Sequence, residues 1–244
     1  MFRKIFISTI IPTWLLVVAI ACILALPRFY WMLQGNYNAI IVIFLVMMAL
    51  PFLLLSKFGR SQIGLTKPVS WMRVLVAFCA GSIGAVLVYV LGVALYGTES
   101  PLHWYVAVKA TITQRGDAVA AVRAAPALFL VFALPPMIFS PLGEELFFRG
   151  IFHEAVAERF DTRVALIADA VAFGLTHIAH YGLAVQNGTL TFLFPSVIWW
   201  VLQMAAAALL FSFARMYAGT LWAAVLCHAG FNGTMMWCIF FALG

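Results

Sequence analysis

Apolar residues run through this chain in long blocks, and polar residues fall in short gaps between them. About 20 predominantly apolar residues, rising 1.5 Å each, span the hydrocarbon core of a bilayer. Blocks of that kind predict about seven crossings, at residues 1–27, 38–56, 74–96, 126–160, 164–181, 191–216 and 220–242. Lipid offers no water to satisfy backbone N–H and C=O groups, so each crossing must be helical. The expected fold is all-α: a polytopic membrane helical bundle of about 7–8 transmembrane helices, in a single integral-membrane domain, 1–244.

Local residue choices refine the blocks. Arg3 and Lys4 precede the first, as in a signal peptide, but apolar sequence continues through Leu26 and predicts an uncleaved span. Pro51 predicts a kink in the second. Gly81, Gly84 and Gly92 give the third a face suited to close helix packing. Residues 104–123 tolerate polar side chains and read as an interfacial helix or a loop, with Trp104 and Tyr105 at headgroup level. Pro135, Pro136 and Pro141 predict a kinked fourth span whose second half starts near Pro141, and Asp161-Thr162-Arg163 makes the following turn.

Composition agrees. The chain is 66% hydrophobic with a mean hydropathy of +1.08, which excludes an ordinary soluble domain. The net charge of +6 does not indicate nucleic acid, because the basic residues sit in the gaps between apolar blocks. There they act as topology signals, and their distribution predicts a multi-pass protein of the cell (cytoplasmic) membrane with its N-terminus in the cytoplasm. Arg28 is counted among the charges of the outer side. Cys22, Cys79, Cys227 and Cys238 all lie in apolar runs without a CxxC pair and read as small hydrophobes.

Against this background the few charges matter. Only 9% of residues are charged, compared with about 25% in a typical soluble domain. Glu144 and Glu145 are adjacent, with Arg149 a turn on, inside apolar sequence. Asp169, Phe173 and His177 form a stripe on the next block, and His228 and Asn232 lie a turn apart on the last. Glu144 and His177 are each roughly 25 Å from the turn that joins their helices, so they lie at one depth. The last helix brings His228 and Asn232 to a similar level. Buried separately these groups would be costly, and together they make a site. A desolvated carboxylate suits a general base for water, with a histidine sharing the proton. A histidine and an asparagine on a third helix suit a developing oxyanion. Glu145 and Arg149 are in the favourable order for an ion pair, which leaves Glu144 free. Cys227 points away from His228 and is no nucleophile.

EExxxR, FxxxH and HxxxN, in that order on separate membrane helices, resemble the CPBP family of intramembrane proteases, the CAAX-prenyl-protease-like and bacteriocin-processing (Abi) proteins. The match runs from Glu144 to Asn232. The resemblance implies a catalytic core at 126–242, with Glu144 and His177 activating water, His228 and Asn232 stabilising the oxyanion, and Phe173 shaping the cavity. Glu145 and Arg149 would support them. It implies membrane lipid as surroundings and a hydrophobic, membrane-anchored or lipidated peptide or protein as substrate. No cofactor is expected; the alternative is Zn held by Glu144, His177 and His228, although no HExxH motif is present. Competing functions for the same polar groups are a proton- or ion-coupled transporter and a catalytically silent scaffold. His180 reads as a satisfied or interfacial histidine, Asp169 as a partner for a basic group near the turn, such as Arg159 or Arg163, or for another helix, and His103 and His153 as surface residues.

Overall fold

The computed structural model describes residues 1–2, 11–34, 36–113, 118–186 and 189–243. Arg3, Lys4 and Arg115, three of the topology charges, lie outside the described residues. The helices are α1 (Thr13–Leu33), α2 (Tyr37–Leu54), α3 (Lys57–Gln62), α4 (Trp71–Tyr96), α5 (Trp104–Thr113), α6 (Ala118–Ala124), α7 (Phe129–Glu145), α8 (His153–Arg159), α9 (Thr162–Thr176), α10 (Ser196–Ala218) and α11 (Leu221–Trp237). A π-helical segment, Leu146–Phe152, joins α7 to α8. One short antiparallel hairpin, β1 (Leu183–Gln186) with β2 (Thr189–Phe192), precedes α10, with Leu183 opposite Phe192.

Among the described residues five helical stretches are long and apolar enough to cross a membrane: Thr13–Leu33, Trp71–Tyr96, Pro126–Arg159, Ser196–Ala218 and Leu221–Ala242. Ala39–Leu54 is a shorter apolar helix. The chain is thus an all-α, multi-pass membrane bundle, as the hydropathy pattern predicts.

Several boundaries differ from that pattern. The first helix does not end at Pro27. It runs on to Leu33 with Pro27 inside it, which neighbouring groups in a membrane bundle permit. Arg28 is therefore no loop charge; it lies on the helix and is 1% exposed. The block at 164–181 folds as only 15 residues of α-helix, closed by a 3-10 turn, His177–Ala179. The block at 191–216 begins in β2, and its helix starts at Ser196. Residues 104–123 hold two helices, and Trp104 and Tyr105 are fully buried rather than at headgroup level. Their polar tips donate to α4, Trp104 Nε1 to the Val88 carbonyl at 3.2 Å and Tyr105 Oη to that of Ala85 at 3.0 Å. His103, expected at the surface, is buried beside them. The α7 helix continues through Pro141 to Glu145, and the irregular backbone comes later, in the π segment.

Small residues set how closely the helices approach. A Cβ on Gly81 of α4 would collide with the Cys227 carbonyl of α11, and one on Gly230 of α11 with the Phe78 carbonyl of α4. The two backbones therefore touch, the close approach that the glycines of this block predict. A Cβ on Gly174 would lie 2.8 Å from the Val201 carbonyl, so α9 also packs backbone-close against α10. Asp161 caps α9, its carboxylate accepting from the Arg163 and Val164 amides at 2.7 and 2.9 Å.

Gly81→Ala should therefore cost about 1–3 kcal/mol, because a rigid carbonyl faces the new methyl. Gly84→Ala, which meets the end of the Leu210 side chain at 3.2 Å, should cost less. Thermal unfolding of the two variants in detergent measures the difference, and equal melting temperatures would contradict this account of the α4–α11 contact.

Candidate active site

Successive residues on a helix project about 100° apart, so Glu144 and Glu145 face different neighbours. Glu144 shares its face with Ser140, one turn earlier. Its Oε1 accepts from Arg28 Nη1 of α1, and its Oε2 accepts from Ser140 Oγ at 2.8 Å. Gly143 lets α2 come close here, since a Cβ would lie 2.8 Å from the Phe44 carbonyl. The Phe44 ring in turn lies 5.5 Å from the Arg28 guanidinium. The other arm of Arg28, Nη2, donates to His180 Nε2 at 2.9 Å. Arg28 thus ties together α1, α7 and the turn after α9.

Glu145 faces α9 and α11. Its Oε1 accepts from His228 Nδ1 at 2.7 Å, and its Oε2 lies 3.2 Å from Arg149 Nε. The wider turn of the π segment sets Arg149 above Glu145. The expected Glu145–Arg149 pair is present. Arg149 also meets Asp169 Oδ2 at 3.5 Å, and its guanidinium lies 4.2 Å from the Phe173 ring and 5.3 Å from that of Phe211. Two expectations are corrected here. Asp169 pairs with Arg149 rather than with Arg159 or Arg163, and its Oδ2 accepts from Ser212 Oγ of α10 at 3.5 Å, the bond to another helix that was the other expectation. Glu144 is not left free by the Glu145–Arg149 pair, because it has an arginine of its own. His153, expected at the surface, is buried.

His228 reaches both carboxylates. With Nδ1 on Glu145, its Nε2 lies 3.7 Å from Glu144 Oε2. The Phe211 ring stacks on it, 4.6 Å between centroids. His177 Nδ1 donates to the Phe173 carbonyl at 2.8 Å. That bond makes Nε2 the basic nitrogen of the neutral ring. Trp200 Nε1 donates to the His177 carbonyl at 3.0 Å and holds the end of α9 in place. Asn232 Nδ2 donates one hydrogen to the Pro136 carbonyl at 2.8 Å and keeps a second donor.

These groups meet at a cavity of about 690 Å³. Arg28, Ser140, His177, His180, His228 and Asn232 form its polar wall, and the rest is apolar, from α2, α5, α6, α7, α10 and α11. Phe173 lines it too, packed 4.4 Å from His177 and 5.8 Å from His228 between ring centroids. Of the residues singled out from sequence, His177, His228 and Asn232 are on the wall, and Glu144 is buried directly behind Arg28 and Ser140. Glu145, Arg149 and Asp169 form a second layer.

Zinc ligation by Glu144, His177 and His228 does not suit this arrangement. The Arg28 guanidinium abuts Glu144 Oε1, placing a cation on a would-be ligand oxygen, whereas His228, with Nδ1 on Glu145, keeps Nε2 available. Among the described residues no three His, Cys, Asp or Glu side chains come together at metal-binding spacing.

Three residues of the polar wall were not among the sequence candidates: Arg28, Ser140 and, as a bonded partner, His180. Arg28 had a signal. Once the first helix is allowed to pass Pro27, an arginine stands inside an apolar span, the default mark of a functional site. Ser140 lies one turn before Glu144, the spacing that puts it on the same face.

Removing Arg149 leaves two buried carboxylates facing each other. Arg149→Leu should lower stability by about 3 kcal/mol, within the range for breaking a buried pair. Adding Asp169→Asn should restore part of that loss. A double-mutant cycle of thermal or denaturant unfolding measures the coupling; additive losses would mean that Asp169 does not act through Arg149.

Residues 126–234 match the family model described as type II CAAX prenyl endopeptidase Rce1-like. No curated protein and no solved structure gives a significant match. The matched stretch contains EExxxR, FxxxH and HxxxN and supplies every group of the site except Arg28 and its α2 neighbours. Through that segment the chain is similar to the CAAX-protease-like membrane proteins.

Proposed function

We propose that this protein is an intramembrane endopeptidase of the cell membrane, built on one integral-membrane domain with 126–242 as its catalytic core. It hydrolyses a peptide bond in a hydrophobic or lipidated segment, with Glu144 and His177 activating water. The observation that carries this reading is the placing of one histidine, His228, between two carboxylates at the wall of an apolar cavity, with the basic nitrogen of a second histidine beside it. The family's endopeptidase description gives the reaction class.

The chemistry follows from the donors and acceptors. Water attacks the carbonyl carbon while Glu144 takes its proton, with His177 Nε2 sharing the water. The C=O electron pair moves onto oxygen, where the free Asn232 N–H donates to it and His228, when it carries a proton on each ring nitrogen, donates from Nε2. Collapse of the intermediate breaks the C–N bond, and the departing amine takes the proton from Glu144 or His177. Glu145 holds His228 through Nδ1, and Arg149 with Asp169 holds Glu145. The apolar remainder of the cavity favours a substrate with a long apolar portion, since each buried CH₂ contributes about 0.8 kcal/mol. No step requires a metal.

In liposomes, the purified protein should cleave membrane-anchored peptides, a prenylated one among those offered. Glu144→Gln and His177→Ala should each lose at least about 100-fold in kcat/KM per folded protein, and Glu144→Gln, which leaves Arg28 buried without its carboxylate, should also melt lower than the wild type. His228→Ala and Asn232→Ala should lose mainly kcat, as oxyanion donors do. Wild-type cleavage by the Glu144→Gln protein would rule out the glutamate mechanism.

A further inference from the structure

Arg28 lies outside the stretch that matches the family, on a helix that sequence reading ends one residue before it. It is 1% exposed, lines the cavity, and bonds two groups of the site, Glu144 Oε1 and His180 Nε2. We infer that Arg28 is a positioning residue for the proposed peptide hydrolysis: clamped between Glu144 and His180, it holds the Glu144 carboxylate by Oε1 and turns Oε2 toward the reacting water.

The geometry distinguishes the two oxygens of Glu144. Oε1 is covered by the guanidinium. Oε2 accepts from Ser140 and lies 3.7 Å from His228 Nε2. A carboxylate oxygen has a lone pair to spare after one hydrogen bond, so Oε2 is the atom that takes the water proton. Without Arg28, Oε1 loses its hydrogen bond, and Ser140 on Oε2 alone fixes the carboxylate less firmly about its last torsion. A buried carboxylate without a cation also tends to take a proton from solvent and cease to be a base.

His180 explains why the cation is held in place. The planar guanidinium spans two acceptors with separate nitrogens, Nη1 on Glu144 and Nη2 on His180. The Phe44 face, 5.5 Å away, backs it. A lysine would restore the charge but not the two-armed clamp.

The inference rests on Glu144 acting as the base, so Glu144→Gln is run beside the other variants. With the peptide that the wild type cleaves, Arg28→Gln should lose about 100-fold in kcat, the size of effect seen for one removed electrostatic group, with KM within about threefold. Arg28→Lys should recover at least about tenfold of that loss. His180→Gln, which keeps the charge and disturbs one arm of the clamp, should lose about three- to tenfold in kcat. Rates are taken per folded protein, from monodisperse samples of known melting temperature.

Arg28→Gln with wild-type kcat overturns the inference. So does a rate per folded molecule that is unchanged while the folded yield drops, which would make Arg28 purely structural. If Arg28→Gln does not accumulate, the His180 and Lys variants decide: wild-type kcat in His180→Gln, or no activity in well-folded Arg28→Lys, overturns it. Activity retained by Glu144→Gln would instead strike the glutamate mechanism itself.

Discussion

Hydrocarbon tolerates no lone charge, and the interior of this bundle is arranged around that constraint. Among the described residues the fully buried ionised groups are Arg28, Glu144, Glu145, Arg149 and Asp169. Each has an opposite charge in contact: Arg28 with Glu144, and Arg149 with Glu145 and Asp169. Three carboxylates face two guanidiniums, and the imidazole of His228 sits between Glu144 and Glu145, where the excess negative charge is concentrated. A buried pair adds little net stability over an apolar replacement, because desolvation offsets the Coulomb gain. Its retention here therefore reflects the work of the site.

The network spans four helices and needs them close together. Glycine at the contacts permits this. Gly81 and Gly230 bring α4 against α11, which carries His228 and Asn232, and Gly174 brings α9 against α10. Gly143, next to Glu144, lets α2 press on α7 and backs Arg28 with Phe44. In lipid such contacts gain from van der Waals packing rather than from expelled water, so loss of one methyl-sized gap is felt directly. Backbone approach and charge placement are thus one design requirement, met at neighbouring positions.

Much of this was legible in the chain. A span of apolar residues must be helical in lipid whatever its neighbours do, so the bundle followed from hydropathy alone. The Glu145–Arg149 pair followed from one-turn spacing, and the convergence of Glu144, His177 and His228 from counting residues to the turns. What was not legible depended on tertiary partners. Helical spacing shows which residues share a face but not which helix covers it, so Asp169 was given the wrong arginine. Proline at 27 looked like an end because in water it usually is one; in the bundle the helix passes through it. The hairpin at 183–192 is too short for its alternation to stand out. Trp104 and Tyr105 looked interfacial from residue type, yet carbonyls on α4 satisfy their polar tips inside the fold.

The stretch that matches the family, residues 126–234, contains Glu144, Glu145 and Asp169 as buried acids and Arg149 as their only buried guanidinium. Folded by itself in lipid, it would carry uncompensated negative charge at the site. A neighbouring element has to supply a cation at the depth of Glu144, and α1 does so with Arg28. On this argument the N-terminal helices complete the electrostatics of the site as well as enclosing it.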